Sequence, residues 1–160
     1  MGVRTYRYVG PAELRDLSSP GSPIDRAEAL AAWWRARSEP ETIATFTVPP
    51  DGLLRIAPRR SEHVVCAGTI EVLAAGELGF DPHGTRVVYA SNQSTGFCPA
   101  IESWSALERA LDAAGIAHPA TWTASFEFRR CPECDERTIV KDDWFECAMC
   151  GADLPRDYNF

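Results

Sequence analysis

The fold of the C-terminal part of this chain is decided by Cys131-Pro-Glu-Cys134 and Cys147-Ala-Met-Cys150-Gly151. Each C-x-x-C pair can form a tight turn that presents both sulfurs, and Gly151 provides the backbone freedom that such a turn needs. Two pairs can together surround one tetrahedral metal ion. Because four thiolates leave no open coordination position, we expect a structural zinc ion rather than a catalytic one.

The segment between the two cysteine pairs has the pattern of a β-hairpin. Residues 138–141 and 144–146 are predicted strands, and Asp142-Asp143 is the predicted turn. With the cysteines, this segment resembles a zinc ribbon of the rubredoxin-like kind, with two zinc knuckles. The resemblance covers residues 129–160, the last fifth of the chain. It implies zinc as the cofactor and identifies a module rather than an activity.

The bulk properties predict a cytosolic globular protein. The 160 residues have the length of a single domain. The sequence shows neither an apolar run long enough to cross a bilayer nor a signal-peptide pattern after Met1. In a reducing compartment, six cysteines indicate a metal site and spare thiols rather than a disulfide framework.

The negative net charge of the chain bears on which class of molecule it can bind. The formal net charge is −7, and acidic residues outnumber basic ones from residue 129 onward. Phosphate contacts require Lys and Arg, so nucleic acid is a disfavoured partner although many zinc ribbons bind it. The short basic cluster of Arg55, Arg59 and Arg60 is interpreted as a solvated loop. We therefore expect a protein or small-molecule partner, and no membrane.

The order of predicted elements indicates an α+β fold, with a mostly antiparallel sheet, two main helices and a C-terminal zinc ribbon packed on it. Strands are predicted at residues 3–9, 43–48, 53–56, 63–67, 70–74, 86–90 and 122–128. No Gly/Pro linker separates the last of these strands from Cys131, so the ribbon is expected to be docked. The predicted division is residues 1–128 for the α+β domain and 129–160 for the ribbon.

Two helices are predicted from caps and periodicity. The first starts with Ser22 as N-cap and Pro23 at the first helical position and runs to residue 38, with Trp33 expected at the edge of the core. The second is assigned a capping box of Ser105 and Glu108. It has an apolar stripe with i, i+3, i+4, i+7 spacing and a C-terminal glycine: Leu107, Ala110, Leu111, Ala114 and Gly115.

Outside the cysteines, the small polar stretch between a predicted strand and the second helix is the candidate ligand site. It contains Asn92, Ser94, Thr95 and Phe97, and His63 is added from an earlier segment. Loops of this composition on a rigid scaffold often carry sites. The same composition also suits a turn that satisfies its own backbone, and both interpretations stay open. Cys66, in a predicted apolar strand, is interpreted as a small core residue.

A second resemblance joins these segments. His63, Ala67-Gly68, Ala74-Ala75-Gly76 and Ser94-Thr95-Gly96-Phe97-Cys98-Pro99 are similar to a domain of plant IQ-motif calmodulin-binding proteins and related bacterial toxin-like proteins. The similarity spans residues 42–116. It implies an α+β fold and places His63 beside the loop of residues 94–99 in one site. Thr95-Gly96-Phe97 stands where that domain has Gly-His-Tyr, and the calmodulin-binding segment has no counterpart here.

Two functions are carried forward. The first is a small zinc-ribbon protein that acts as a protein- or ligand-binding adaptor module. The alternative is an enzyme, a transferase or hydrolase on a nucleotide-like or protein substrate. In the enzyme, His63 would be the acid/base, with Asn92, Ser94 or Thr95 orienting the substrate. The sequence contains neither a P-loop nor a G-x-S-x-G or H-E-x-x-H motif, so it assigns no catalytic residue.

Overall fold

The structure is a computed structural model, and it describes residues 3–16, 19–38 and 40–160. The α+β prediction is confirmed, since helices and antiparallel sheets are both present. The strands are β1 Tyr6–Arg7, β2 Ser22–Ile24, β3 Ile43–Val48, β4 Leu54–Pro58, β5 Glu71–Val72, β6 Ala74–Phe80, β7 Val87–Ser91, β8 Glu127–Arg130 and β9 Arg137–Val140. The helices are α1 Ala27–Ala36, α2 His63–Ala67 and α3 Trp104–Ala114, with 3-10 turns at Ala12–Asp16 and Ile101–Ser103.

The scaffold is a five-stranded sheet in the order β2-β4-β3-β6-β7, with every neighbouring pair antiparallel. Successive side chains of the central strand β3 point to opposite faces of the sheet, so Phe46 and Val48 lie on one face and Thr45 and Thr47 on the other. On the first face, Phe46 belongs to the main apolar core together with side chains of α1 and α3. Two-residue ladder β1–β5 and hairpin β8–β9 form separate small sheets.

The second face of the sheet is covered by α2. A smaller apolar cluster lies there, in which Tyr6, Val64, Val72 and Phe97 are buried together. Cys66 of α2 is fully buried, accepts a hydrogen bond from the Thr47 hydroxyl at 3.5 Å, and contacts the sheet as a core residue. Burial raises the pKa of the Cys66 thiol to about 11, which makes it a poor nucleophile at neutral pH.

Two element predictions near the N-terminal half are wrong. Residues 63–67 form α2 instead of a strand, and Gly68 ends that helix in the left-handed conformation with φ 67°. A short apolar run has no periodicity that separates strand from helix, and here packing on the sheet decides. Ser22 and Pro23 lie in β2, where they pair with Ile56 and Arg55 of β4, rather than starting a helix.

The predicted second helix is confirmed, but its predicted start is wrong. The helix follows a 3-10 turn and begins at Trp104, so Ser105 lies inside it and its hydroxyl donates to the Glu102 carbonyl at 3.4 Å. The predicted apolar stripe is buried along its whole length. Gly115 closes the helix with φ 69°, and Ile116 after it is buried.

Two predicted strands are shorter than expected. Of residues 122–128 only the end is strand, in β8, while Trp122 packs in the main core and Ala124 makes an isolated bridge to Ser91. The opening strand is reduced to β1. None of the helices in residues 3–16, 19–38 and 40–160 combines the length and the apolar character of a membrane-spanning helix.

Candidate metal centre and the loop beside it

The four C-terminal cysteines converge on one point. Their sulfurs all lie within 4.8 Å of one another. The Sγ atoms of Cys131 and Cys150 are 3.6 Å apart, and those of Cys134 and Cys147 are 3.7 Å apart. Four sulfurs placed tetrahedrally around an ion at about 2.3 Å would be separated by about 3.8 Å, so the cluster fits a metal centre.

The two C-x-x-C turns have the same hydrogen bonds. In the first, the Cys131 N–H donates to the Glu136 carbonyl at 2.8 Å and the Asp135 N–H donates to the Cys131 carbonyl at 3.0 Å. In the second, the Cys147 N–H and the Gly151 N–H make the equivalent bonds, both at 2.8 Å. This repeat arises because the same spacing closes the same turn twice.

The residue after the second cysteine of each turn is left-handed. Gly151 has φ 78° and Asp135 has φ 63°. Glycine takes this conformation without cost, and aspartate is one of the few other residues that tolerate it. Gly151 was predicted to have this role, while the matching role of Asp135 was not predicted, although the repeat of the C-x-x-C spacing points to it.

The thiols of the cluster influence one another. Backbone N–H groups, first that of Cys134, hold the pKa of Cys131 at about 7. For Cys134, the hydrogen bond from the Glu136 backbone lowers the pKa, but desolvation and three neighbouring sulfurs together raise it to about 12. Four adjacent thiolates repel one another, and a bound cation removes that penalty.

The hairpin between the cysteine pairs differs from the prediction in its pairing. Strand β9 pairs with β8, and Arg130 lies opposite Arg137 where the first cysteine turn begins. Asp142 and Asp143 form the predicted turn with φ 51° and 56°, both in the left-handed region as a type I′ turn requires. The predicted returning strand at residues 144–146 has only isolated bridges, Lys141 to Trp144 and Glu146 to Asp153.

We call residues 127–160 the cysteine lobe. It has a small apolar core of its own, formed by Cys131, Val140, Cys147 and Leu154. The proposed boundary between residues 128 and 129 falls inside β8, and the division into domains stays a prediction.

Arg129 fixes the end of the chain against the start of the cysteine lobe. It is buried and donates to three carbonyls, of Phe128 at 2.8 Å, Pro155 at 3.0 Å and Arg156 at 2.6 Å. Asn159 adds a pair of hydrogen bonds to the backbone of Arg130, at 2.7 and 2.8 Å. Sequence reasoning missed Arg129, since two of its three partners, Pro155 and Arg156, lie 26 and 27 residues away and leave no local pattern.

The candidate loop lies between the body and this lobe. Asn92 is fully buried, and its Nδ2 donates to the carbonyls of Pro99 at 3.1 Å and Phe126 at 2.8 Å. Its Oδ1 accepts from the Phe126 N–H at 2.7 Å. The Asn92 amide therefore holds the loop to the segment that leads into the cysteine lobe.

The remaining loop residues also contact the protein itself. Ser94 is buried and accepts the Phe97 N–H at 3.3 Å, while the Phe97 ring lies in the second apolar cluster. Two carbonyls receive donors from the cysteine lobe, Thr95 from Arg137 and Cys98 from the Tyr158 hydroxyl at 2.6 Å. Thr95 is the exposed member of the candidate set. The loop thus satisfies its own backbone, and its predicted ligand binding stays a prediction.

His63 sits under the end of the sheet where the loop begins. Its Nε2 donates to the Gly76 carbonyl at 2.9 Å, and burial lowers the pKa of the ring below its usual 6.5. Gly76 in turn touches the loop's first residues, because a Cβ there would collide with the Ser91 carbonyl and lie 2.9 Å from the Asn92 Cα. The structure brings His63 near the start of the loop, with its Nε2 bound to backbone rather than to Ser94 or Thr95.

Comparison with known proteins assigns no family to this chain. No family model matches it, and neither a curated protein nor a solved structure is significantly similar. Within the described residues, the four-sulfur cluster is the chemically most specific feature.

Proposed function

We propose that this chain is a protein- or ligand-binding adaptor module stabilised by one structural zinc ion, which is held by Cys131, Cys134, Cys147 and Cys150 in a zinc ribbon. The observation that carries the proposal is the sulfur geometry, with Sγ separations of 3.6 and 3.7 Å between opposite turns. An all-thiolate tetrahedral set favours zinc, and it leaves no position at which substrate could bind the ion.

The zinc ion would order a segment that has little other means of folding. The apolar core of the cysteine lobe consists mainly of four buried residues, two of which are the ligands Cys131 and Cys147. Such a core cannot offset the loss of chain entropy on its own, so metal binding supplies the folding free energy. Arg137 and Tyr158 then tie the ordered lobe to the carbonyls of the candidate loop.

The test combines metal analysis with hydrogen exchange. Purified protein should contain one zinc per chain, and Cys134→Ser or chelation should release it and increase amide exchange across residues 131–151 by at least tenfold. Cys66→Ser is the matched control, because this buried thiol lies on the sheet and should leave both the zinc content and the exchange unchanged. Unchanged exchange after verified metal loss would contradict the structural role.

The enzyme alternative is tested with one further variant, His63→Gln, beside the wild type and Cys66→Ser. It requires His63 to act on a substrate held at Asn92, Ser94 or Thr95. Of these groups Thr95 is exposed, while the Asn92 amide and the Ser94 hydroxyl already bond within the protein. Turnover of nucleotide or ester substrates that is lost in His63→Gln and retained in Cys66→Ser would favour the enzyme.

A further inference from the structure

Two large apolar side chains project from the cysteine lobe. Trp144 is 68% exposed and Met149 is 73% exposed, the two highest values for large hydrophobic residues in the described part of the chain. Tryptophan is the residue most enriched among the hot spots of protein interfaces, and methionine adapts its shape to different apolar partners.

Trp144 is held in place although it contributes little to a core. Its indole Nε1 donates to a Glu146 carboxylate oxygen at 3.1 Å, which fixes the direction of the ring. Neighbouring Phe145 points the other way and lies under the guanidinium of Arg156, 4.3 Å from the ring centroid. The lobe therefore packs with Phe145, and Trp144 is a fixed apolar group on the outside.

Trp144 and Met149 belong to the same end of the lobe. Glu146, whose Oε2 accepts the indole N–H, forms a backbone bridge with Asp153. Its Oε1 lies close to Gly151, 3.7 Å from the position that a Cβ on this glycine would occupy. Gly151 closes the same turn that carries Met149, whose N–H donates to the Cys147 sulfur at 3.4 Å. The second cysteine turn thus connects the two apolar residues.

Negative charge surrounds this end of the lobe. Residues 131–154 contain seven acidic and two basic residues, in a chain whose whole net charge is −7. Every one of the acidic residues is exposed: Glu133, Asp135, Glu136, Asp142, Asp143, Glu146 and Asp153. Of the two basic residues, Arg137 is directed toward the Thr95 carbonyl of the body, and Lys141 is exposed opposite Trp144, where Asp142 and Asp143 follow it directly. An apolar pair within an acidic field is complementary to a basic partner with apolar side chains.

We propose that Trp144, Met149 and the carboxylates of Asp142, Asp143 and Glu146, together the acidic face, dock a basic protein segment that carries exposed apolar side chains. This inference rests on the proposed function and specifies its partner by chemistry. The carboxylates would steer Lys and Arg of the partner, and Trp144 with Met149 would bury its apolar groups. The same charges repel phosphate backbones, which separates this face from that of a nucleic-acid-binding ribbon.

The first part of the test asks which peptides the protein selects. A displayed random peptide library is panned against the zinc-loaded full chain and counter-selected against the immobilisation matrix without protein. The enriched peptides should combine Lys or Arg with aromatic or aliphatic residues. Enrichment of acidic or uncharged sequences, or no enrichment above the counter-selected background, overturns the proposal.

The second part measures affinity for the best selected peptide. Trp144→Ser should weaken binding at least tenfold, and Asp142→Asn with Asp143→Asn at least fivefold at low salt. Asparagine also tolerates the positive φ of that turn, so the double variant keeps the hairpin. Val88→Ser is the matched control, since Val88 is an exposed apolar residue of β7, 44% accessible, and its variant should bind within twofold of wild type.

The third part separates failure of this inference from failure of the proposed function. Zinc content and hydrogen exchange of residues 131–151 are measured on every variant used for binding. Intact zinc and exchange with unchanged affinity in Trp144→Ser overturn the acidic face and leave the structural zinc standing. Loss of binding in Thr95→Arg but not in Trp144→Ser assigns recognition to the loop of residues 94–99 and likewise overturns the acidic face.

Discussion

Asn92 offers the sharpest test of whether the candidate loop is structural. Replacement by alanine removes the amide that bonds the Pro99 carbonyl and both backbone groups of Phe126. Each buried backbone group left without a partner costs about 1–3 kcal/mol. Phe126 is half-buried, and water can compensate part of its loss. We therefore expect Asn92→Ala to lower the free energy of unfolding by about 2–4 kcal/mol.

The chain contains a matched control for this prediction. Asn159 makes the same pair of bonds to the backbone of Arg130, but it is exposed to solvent. Water replaces the lost bonds there, so Asn159→Ala should cost no more than about 1 kcal/mol. Asn92→Asp keeps the size of the side chain and replaces the donor by an acceptor facing two carbonyls, so it should cost at least as much as Asn92→Ala.

The measurement is urea unfolding of the zinc-loaded protein, followed by tryptophan fluorescence and circular dichroism. A cost of Asn92→Ala below about 1 kcal/mol, or one equal to that of Asn159→Ala, would refute the reasoning that burial makes these bonds essential. A near-native Asn92→Asp would show that space rather than hydrogen bonding is what the site requires. Either result would return Asn92 to the set of ligand-binding candidates.

Three further predictions follow from named contacts. Gly76→Ala should lower the free energy of unfolding by about 3 kcal/mol or more, because the added Cβ would collide with the Ser91 carbonyl. Gly52→Ala is the control, since its Cβ meets no atom and only the φ of 79° is unfavourable, so it should cost about 1–2 kcal/mol. Thermal unfolding of the two variants measures the difference. In NMR titrations the midpoints of His63 and His118 should shift in opposite directions from 6.5. Burial lowers the pKa of His63, so its stabilisation is present above pH 6.5 and lost as pH falls through the folded pKa. For His118, desolvation lowers the pKa, but the hydrogen bond to Asp112 and its neighbours outweigh it and raise the pKa overall. The stabilisation that protonated His118 contributes is therefore present below pH 6.5 and lost as pH rises through the folded pKa. Equal midpoints for the two residues would contradict both assignments. Arg129→Met should cost about 3 kcal/mol and increase hydrogen exchange at residues 155–160, and unchanged exchange there would show that its three carbonyl bonds do not hold the tail.

Features that depend on a few neighbouring residues were predictable. The spacing of the cysteine pairs brings four sulfurs together, and Gly115 ends α3 where a helix needs a left-handed residue. The Asp142-Asp143 turn and the buried stripe of α3 were also confirmed. In each case the pattern and its structural consequence lie within one turn or one helix face, where local sterics and hydrogen bonds decide.

The role of the candidate loop could not be predicted from local sequence patterns. Its small polar composition is typical both of a ligand-binding loop and of a structural connection, and the chain alone does not separate them. The partner that engages Asn92 is Phe126, 34 residues further along, and only the folded chain brings the two together. Arg129 was missed for the same reason, since two of its three acceptors lie in the last six residues of the chain.

The sequence by itself determined the four-cysteine cluster, the α+β class and the acidic character of the C-terminal lobe, because these depend on residue type and short spacing. Tertiary structure decided that residues 63–67 form a helix on the sheet, and that Phe145 is directed inward while Trp144 stays exposed. Adjacent apolar residues are equivalent in a sequence. They become different only when long-range packing gives one of them a partner and leaves the other in water.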